Sequence, residues 1–126
     1  MKIVLDHVGI AVNELDSGST FWKLIGLHQG EDEIHEEQGV NIRFFETNET
    51  NDAVRIELLE PMGEDTPVGK FIAKRGTGIQ QLAFRVEQLD ELVAILHDNG
   101  IHLINSEPVA GAGGSRVVFV HPRSTG

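Results

Sequence analysis

Hydrophobic residues recur along this chain in a pattern that repeats after 74 residues. The apolar run at residues 5–12 aligns with the run at 79–86, and the register continues without a gap to Gly26, which pairs with Gly100. A gapless register through a strand, a helix and a helix-ending glycine indicates an internal repeat. The chain is therefore predicted to consist of two related modules.

Helical periodicity follows each of these two runs. Residues 89–97 place apolar side chains at positions i, i+3, i+4 and i+7, and residues 15–24 carry a similar apolar face. Gly26 suits the left-handed position that ends many helices. A shorter helix is predicted between the two copies at residues 68–74, because Pro67 suits the first turn of a helix.

The remaining apolar runs predict strands. Residues 40–45 and 54–59 read as strands separated by a polar turn at 47–52, which predicts a β-hairpin. In the second copy, residues 101–104 and 116–120 are predicted as two more strands. The pattern as a whole predicts an α+β fold made of two related modules.

The chain of 126 residues is expected to form a single domain, because it is too short for two independent cores. The counterpart of Glu57 at the repeat spacing would fall at about position 131. The second module is therefore expected to lack its last strand. The expected parts are a first module at about residues 1–62, a linker helix at about 66–75 and a second module at about 78–126.

Composition and charge narrow the classes of function. Ten Lys and Arg against 20 Asp and Glu give a formal charge of −10, which makes nonspecific nucleic-acid binding electrostatically unfavourable. The chain has no cysteine, so a metal site would need nitrogen and oxygen ligands. No apolar stretch suits a membrane span or the core of a signal peptide, so a cytoplasmic protein is expected.

Five short motifs together carry a resemblance to a known family. They are LDHVGIAV at 5–12, IELLEP at 56–61, DTPV at 65–68, KFI at 70–72 and FVHP at 119–122. In this order they resemble the vicinal-oxygen-chelate family, or glyoxalase/bleomycin-resistance/dioxygenase superfamily, and most closely its methylmalonyl-CoA epimerases. The resemblance implies two βαβββ modules whose cupped, mixed sheets hold one divalent metal ion of the Co, Mn, Zn or Ni class. It also implies a homodimer.

The resemblance further implies which residues hold the metal. The family uses one ligand on the first strand and one on the fourth strand of each module, which gives His7 and Glu57 in the first module. In the second module the corresponding positions are Gln81 and a residue beyond the end of this chain. Gln81 departs from the pattern, because the family usually has histidine there. Glu57 is also expected to act as a catalytic proton-transfer group.

Each of these residues also has a structural interpretation. An isolated strand histidine such as His7 commonly makes only a hydrogen bond. Glu57 occupies the polar position of an apolar strand and shares its face with Arg55 and Leu59, so an inward-facing ion pair is an alternative. Gln81 offers only a neutral amide oxygen as a ligand, and a hydrogen bond inside the cup is its alternative role.

The leading functional hypothesis is a racemase or epimerase that acts on an acyl-CoA, methylmalonyl-CoA, through an enolate intermediate. A metal with imidazole and carboxylate ligands and open positions can bind two vicinal oxygens and stabilise an enolate. One alternative is a glyoxalase I-type lyase that acts on a glutathione hemithioacetal. The other is a metal-free protein of the same fold that binds a small molecule, which the glutamine at position 81 suggests.

Overall fold

The computed structural model describes residues 1–47, 53–111 and 114–125. Within these ranges the chain forms seven strands, three α-helices and two short 3-10 helices. The strands are β1 (Ile3–Ala11), β2 (His28–His35), β3 (Val40–Glu46), β4 (Arg55–Pro61), β5 (Gly78–Val86), β6 (Val109–Ala110) and β7 (Arg116–Val117). The helices are α1 (Leu15–Leu24), α2 (Pro67–Arg75) and α3 (Leu89–Asp98), with 3-10 turns at Glu36–Gln38 and Pro122–Thr125.

The chain divides into two compact units, Val4–Arg85 and a second unit that joins Met1–Ile3 to Val86–Gly126. The first unit is built on a five-stranded sheet with the order β2-β3-β4-β1-β5. The strands β2, β3 and β4 pair antiparallel, whereas β1 pairs parallel with β4. The predicted α+β fold with a cupped, mixed sheet is confirmed. The assignment of residues 1–126 to one domain remains a prediction.

The predicted hairpin is present, because β3 and β4 pair along their whole lengths. Its predicted turn at 47–52 lies almost entirely outside the described residues. The hydrophobic pattern does not predict β2, since Ile34 is the one apolar residue in that strand and is itself 66% exposed. This strand is held by backbone pairing to β3, with a bulge between Gln29 and Asp32.

One face of this sheet packs against α1. Val12, Leu15, Phe45 and Leu58 form the buried cluster there, and Trp22 of α1 packs against it. Phe45 and Leu58 are fully buried. Apolar burial of this kind supplies the main stabilisation of a small domain. The cluster therefore leaves the other face of β3 and β4 free to carry polar groups.

Arg43 on β3 fastens α1 to the same face. Its guanidinium donates two hydrogen bonds of 2.9 Å to Asp32 on β2, and its Nη1 donates to Asp16 and Ser19 of α1 at 3.0 Å each. The hydrogen bonds between Arg43 and Asp32 raise the pKa of the guanidinium and lower the pKa of the carboxyl group. Because strand side chains alternate, the neighbouring Phe44 projects to the opposite face.

The second unit contains α3, which confirms the predicted helix at 89–97 with one added residue. Residues 101–104 and 116–120 were expected to form strands, but in the structure most of them have no regular strand conformation. Leu103 and Val120 form only an isolated antiparallel bridge, and the strand β7 is limited to two residues that pair with β6. The prediction of two full strands is therefore wrong.

The side chain of Asn105 explains this interruption. Its amide nitrogen donates to the carbonyl oxygens of Glu107 and Val117 at 2.8 and 3.2 Å. Its amide oxygen accepts from the backbone nitrogen of Phe119 at 2.7 Å. The asparagine thus occupies backbone groups that a strand ladder would use, which is how asparagine commonly competes with regular structure.

The linker helix α2 confirms the helix predicted at residues 68–74. Thr66 caps its N-terminus, where the Oγ1 atom accepts from the backbone nitrogen of Gly69 at 3.1 Å, and Pro67 occupies the first turn as expected. In the parts of the chain that the structure describes, no helix has the length and apolar character needed to cross a membrane.

Candidate active site

Three neighbouring strands carry the residues that the sequence selects. His7 lies on β1, Glu57 on β4 and Gln81 on β5, and β1 lies between the other two strands in the sheet. The pairing of β1 with β4 sets Arg55 opposite His7 and Glu57 opposite Gly9. Residues two apart on a strand share a face, so these residues line the face opposite α1.

His7 forms the centre of the cluster. Its Nδ1 atom lies 2.9 Å from Oε2 of Glu57, and its Nε2 atom lies 3.3 Å from Nε2 of Gln81. The same oxygen of Glu57 lies 3.3 Å from Nη2 of Arg55. Glu57 is 1% exposed, and this oxygen makes no well-directed hydrogen bond. The predicted site residues therefore meet, and the ion pair considered for Glu57 and Arg55 is present.

Asp6 is a member of this cluster that the sequence pattern does not indicate. Its Oδ2 atom lies 2.8 Å from Nδ1 of His7 and 3.3 Å from Nη2 of Arg55, and its Oδ1 atom lies 3.7 Å from Nη1 of Arg85. Alternation along a strand would place adjacent residues on opposite faces, which hides such a contact from sequence reasoning. One ligand atom from each of Asp6, His7 and Glu57 lies within 4.8 Å of the other two.

The two carboxylates change the electrostatics of the imidazole. Burial alone would lower the pKa of His7, but the close carboxylates of Glu57 and Asp6 outweigh it and raise the pKa above its ordinary value. Burial would likewise raise the pKa of Asp6, but the hydrogen bond to His7 and the charge of Arg55 lower it. The two carboxylates therefore favour a proton on Nδ1 of His7, the ring nitrogen that faces them.

The raised pKa of His7 predicts how stability varies with pH. The folded protein binds this proton more tightly than the unfolded chain, whose histidine pKa is about 6.5, so the stabilisation is complete below that pH. It is lost as the pH rises through the raised pKa of the folded protein. We expect the stability difference between wild type and His7→Gln to shrink as the pH increases, measured by urea unfolding of the metal-free protein. His97→Gln, at an exposed position of α3, is the matched control for the replacement of a histidine.

The donor set of the cluster fits a divalent metal ion. Two carboxylates, one imidazole and the amide of Gln81 are nitrogen and oxygen ligands of the type that Mn, Co, Ni and Zn ions accept. The buried oxygen of Glu57 lacks a directed hydrogen bond, so it retains lone pairs for a cation. The residues that could hold the ion are therefore His7, Glu57 and Gln81, together with Asp6.

A cavity of about 350 Å³ shares one residue, Arg55, with this cluster. Arg55 belongs to both, because it pairs with Glu57 and stacks over the ring of Phe44, with Cζ 4.9 Å from the ring centroid. Among the described residues that line the cavity, Arg55 is the one cation. The lining residues are Gly30, Glu31, Asp32, Glu33, Phe44, Glu46 and Arg55.

Comparison with known proteins places these observations in a family. A family model described as the Glyoxalase/Bleomycin resistance protein/Dioxygenase superfamily matches residues 6–119. The uncharacterized protein YqjC of Bacillus subtilis is 38% identical over 122 residues, which cover 96% of this chain and 84% of that protein. The mitochondrial methylmalonyl-CoA epimerase of Bos taurus is 32% identical over 124 residues, which cover 97% of this chain and 69% of that protein.

Solved structures give the same result. A methylmalonyl-CoA epimerase in complex with methylmalonyl-CoA and NH4+ is 37% identical, with a TM-score of 0.89, and the match covers 96% of this chain and 86% of that one. The prediction of an enzyme of the isomerase class is confirmed, because the relatives named for an activity are epimerases. The chain belongs to the Glyoxalase/Bleomycin resistance protein/Dioxygenase superfamily.

Proposed function

We propose that this protein epimerises the α-carbon of methylmalonyl-CoA. The observation that carries the proposal is the meeting of His7, Gln81 and the buried Glu57 on three adjacent strands. Relatives named methylmalonyl-CoA epimerases, at 31–32% identity, support the choice of substrate. A cluster of ionisable groups that shift one another's pKa values is also a common feature of enzyme sites.

The cofactor in this proposal is one divalent metal ion of the Co, Mn, Zn or Ni class. His7, Glu57 and Gln81 would hold it, and Asp6 either joins them or fixes the imidazole of His7. When bound, such an ion supplies a Lewis acid that stabilises the negative charge of an enolate.

Proton transfer is the part of the reaction assigned to Glu57. Epimerisation removes the α-proton from one face of the carbon and returns a proton to the other, so it needs a base and an acid in reach of the substrate. Glu57 is a buried carboxylate whose Oε2 atom lacks a directed hydrogen bond, and it can accept the proton on one face of the carbon. Return of a proton to the other face requires a second acid. Arg55 lies at the cavity wall with 38% of its side chain exposed, and it offers a positive charge to the free carboxylate of the substrate.

The test of this proposal measures metal content and turnover together. The purified protein should retain a divalent metal by elemental analysis and should exchange the α-proton of methylmalonyl-CoA with deuterium in heavy water. Retention of metal without any exchange of this substrate would reject the assigned reaction. Turnover of a glutathione hemithioacetal instead would favour the glyoxalase-type lyase.

Removal of His7 gives the strongest prediction for the metal. His7→Ala should abolish metal retention and leave the fold intact, because His7 is the central ligand but lies outside the buried apolar cluster. Elemental analysis and circular dichroism measure the two effects. A His7→Ala protein with unchanged metal content would contradict the ligand assignment, and His97→Ala is the matched control for the removal of a histidine.

A metal-free binding protein is the second candidate, and one observation favours it. Both ring nitrogens of His7 already have protein partners, and Asp6, Glu57 and Arg55 neutralise one another in part. In that case the cavity would hold a small molecule without catalysis. Absence of metal from protein purified in the presence of cobalt, together with absence of α-proton exchange, would support this candidate.

A homodimer and a cytoplasmic location complete the proposal. The strand β5 leaves three large apolar side chains more than half exposed, and such residues commonly mark an interface between subunits. They are Ile79, Leu82 and Phe84. Light scattering would measure the mass in solution, and a purely monomeric mass would contradict the dimer, whereas cell fractionation tests the location.

A further inference from the structure

Gly9 lies in the middle of β1, two residues after His7 and opposite Glu57 in the strand pairing. It is buried. A Cβ atom at this position would lie 2.5 Å from Cγ of Gln81 and 3.0 Å from both Cδ and Nε2 of Gln81. The nearest obstacle to any side chain at Gly9 is therefore the side chain of Gln81.

Backbone conformation does not explain why position 9 is a glycine. The glycines of the described residues with positive φ are at six other positions, so Gly9 has a conformation that any residue can adopt. Glycine in a strand interior is normally unfavourable, and it often marks a place where another group approaches closely. Here the approaching group is Gln81.

The placement of Gln81 has a chemical consequence for His7. The Nδ1 atom of His7 faces the carboxylates of Asp6 and Glu57, so Nε2 is the nitrogen left for another partner. The amide of Gln81 lies 3.3 Å from that Nε2 atom. A side chain at Gly9 would displace Cγ of Gln81. Because Cγ lies close to the backbone of Gln81, its displacement would also move the amide away from His7.

We infer that Gly9 is a positioning residue, whose missing side chain lets Gln81 hold its amide against Nε2 of His7. It acts through Gln81 and does not touch a substrate. The consequence for metal binding rests on the proposed function, because the amide oxygen of Gln81 is one of the proposed ligands. The placement of Gln81 itself does not depend on that function.

The test is a double-mutant cycle of Gly9→Ala and Gln81→Ala on the full chain. When Gln81 is present, Gly9→Ala should lower the melting temperature by about 2–4 °C and shift the Nε2 resonance of His7 in a ¹⁵N NMR spectrum. In the Gln81→Ala background, Gly9→Ala should raise the melting temperature and leave that resonance unchanged. Gly63→Ala is the control, because a Cβ there would meet nothing within 4 Å.

Titration with cobalt(II) measures the consequence for the site. Gly9→Ala should weaken cobalt binding by about 10–100-fold, and the double variant should be no weaker than Gln81→Ala alone. An effect of Gly9→Ala with the same sign and size in both backgrounds would overturn the inference. If wild type binds no cobalt, the metal proposal fails, whereas the melting temperatures and the His7 resonance still decide the role of Gly9.

Discussion

Replacement of Glu57 by alanine should remove both metal retention and turnover, whereas replacement by glutamine should remove turnover alone. Glutamine keeps an oxygen that can face a cation, but its amide cannot carry the proton that a carboxylate carries. A positioned acid–base group contributes about 10²–10⁴-fold to a rate, so kcat of Glu57→Gln should fall by that factor. Deuterium incorporation at the α-carbon of methylmalonyl-CoA and elemental analysis measure the two quantities.

Glu60 provides the matched control for this experiment. It lies on the same strand but accepts hydrogen bonds from the backbone of Leu15 and the side chain of Asn41, where it fastens the start of α1. Glu60→Gln retains an acceptor oxygen and should leave turnover close to that of wild type. A Glu57→Gln protein with wild-type turnover would limit Glu57 to metal binding and would exclude it as the proton-transfer group.

Much of this fold follows from the sequence because the apolar periodicity is strong where secondary structure packs on the core. The predicted bounds of α1, α2 and α3 agree with the structure to within one residue at each end. The repeat also aligned His7 with Gln81, and the structure shows why this alignment matters. The first strands of the two copies are neighbours in one sheet, so equivalent positions lie side by side.

Other parts of the structure cannot be predicted from the pattern of apolar residues. The strand β2 forms through its backbone pairing with β3, and its exposed polar side chains resemble a loop in sequence. Asn105 replaces strand hydrogen bonds with side-chain hydrogen bonds, which hydrophobic periodicity does not report. These cases differ from the predicted strands because hydrogen bonding, rather than apolar burial, decides the local structure.

Some residues of the candidate site can likewise be predicted from the sequence, whereas others cannot. His7, Glu57 and Gln81 could be selected from the repeat and the family resemblance, and Arg55 from its shared face with Glu57. Asp6 could not be selected, because its contact with His7 runs against strand alternation. The sequence pattern thus identifies positions on a sheet, whereas ion pairing and close approach depend on distances that only the assembled strands define.

Phe45→Ala should produce the largest loss of stability in the unit Val4–Arg85. The ring is fully buried with Leu58, Val12 and Leu15, and truncation of a buried phenylalanine typically costs about 3–5 kcal/mol in the free energy of unfolding. Urea unfolding measures this loss. Phe21→Ala, on α1 but 59% exposed, is the control and should cost much less.

The same variant separates the stability of the sheet from the chemistry of the site. Phe45 faces α1, whereas its neighbour Phe44 pairs with Glu57 on the opposite face. At temperatures where Phe45→Ala is still folded, its cobalt affinity should therefore match that of wild type. A loss below about 1 kcal/mol would show that the cluster around Phe45 collapses to fill the cavity. Reduced cobalt affinity in the folded variant would show that the core and the site are coupled through β3 and β4.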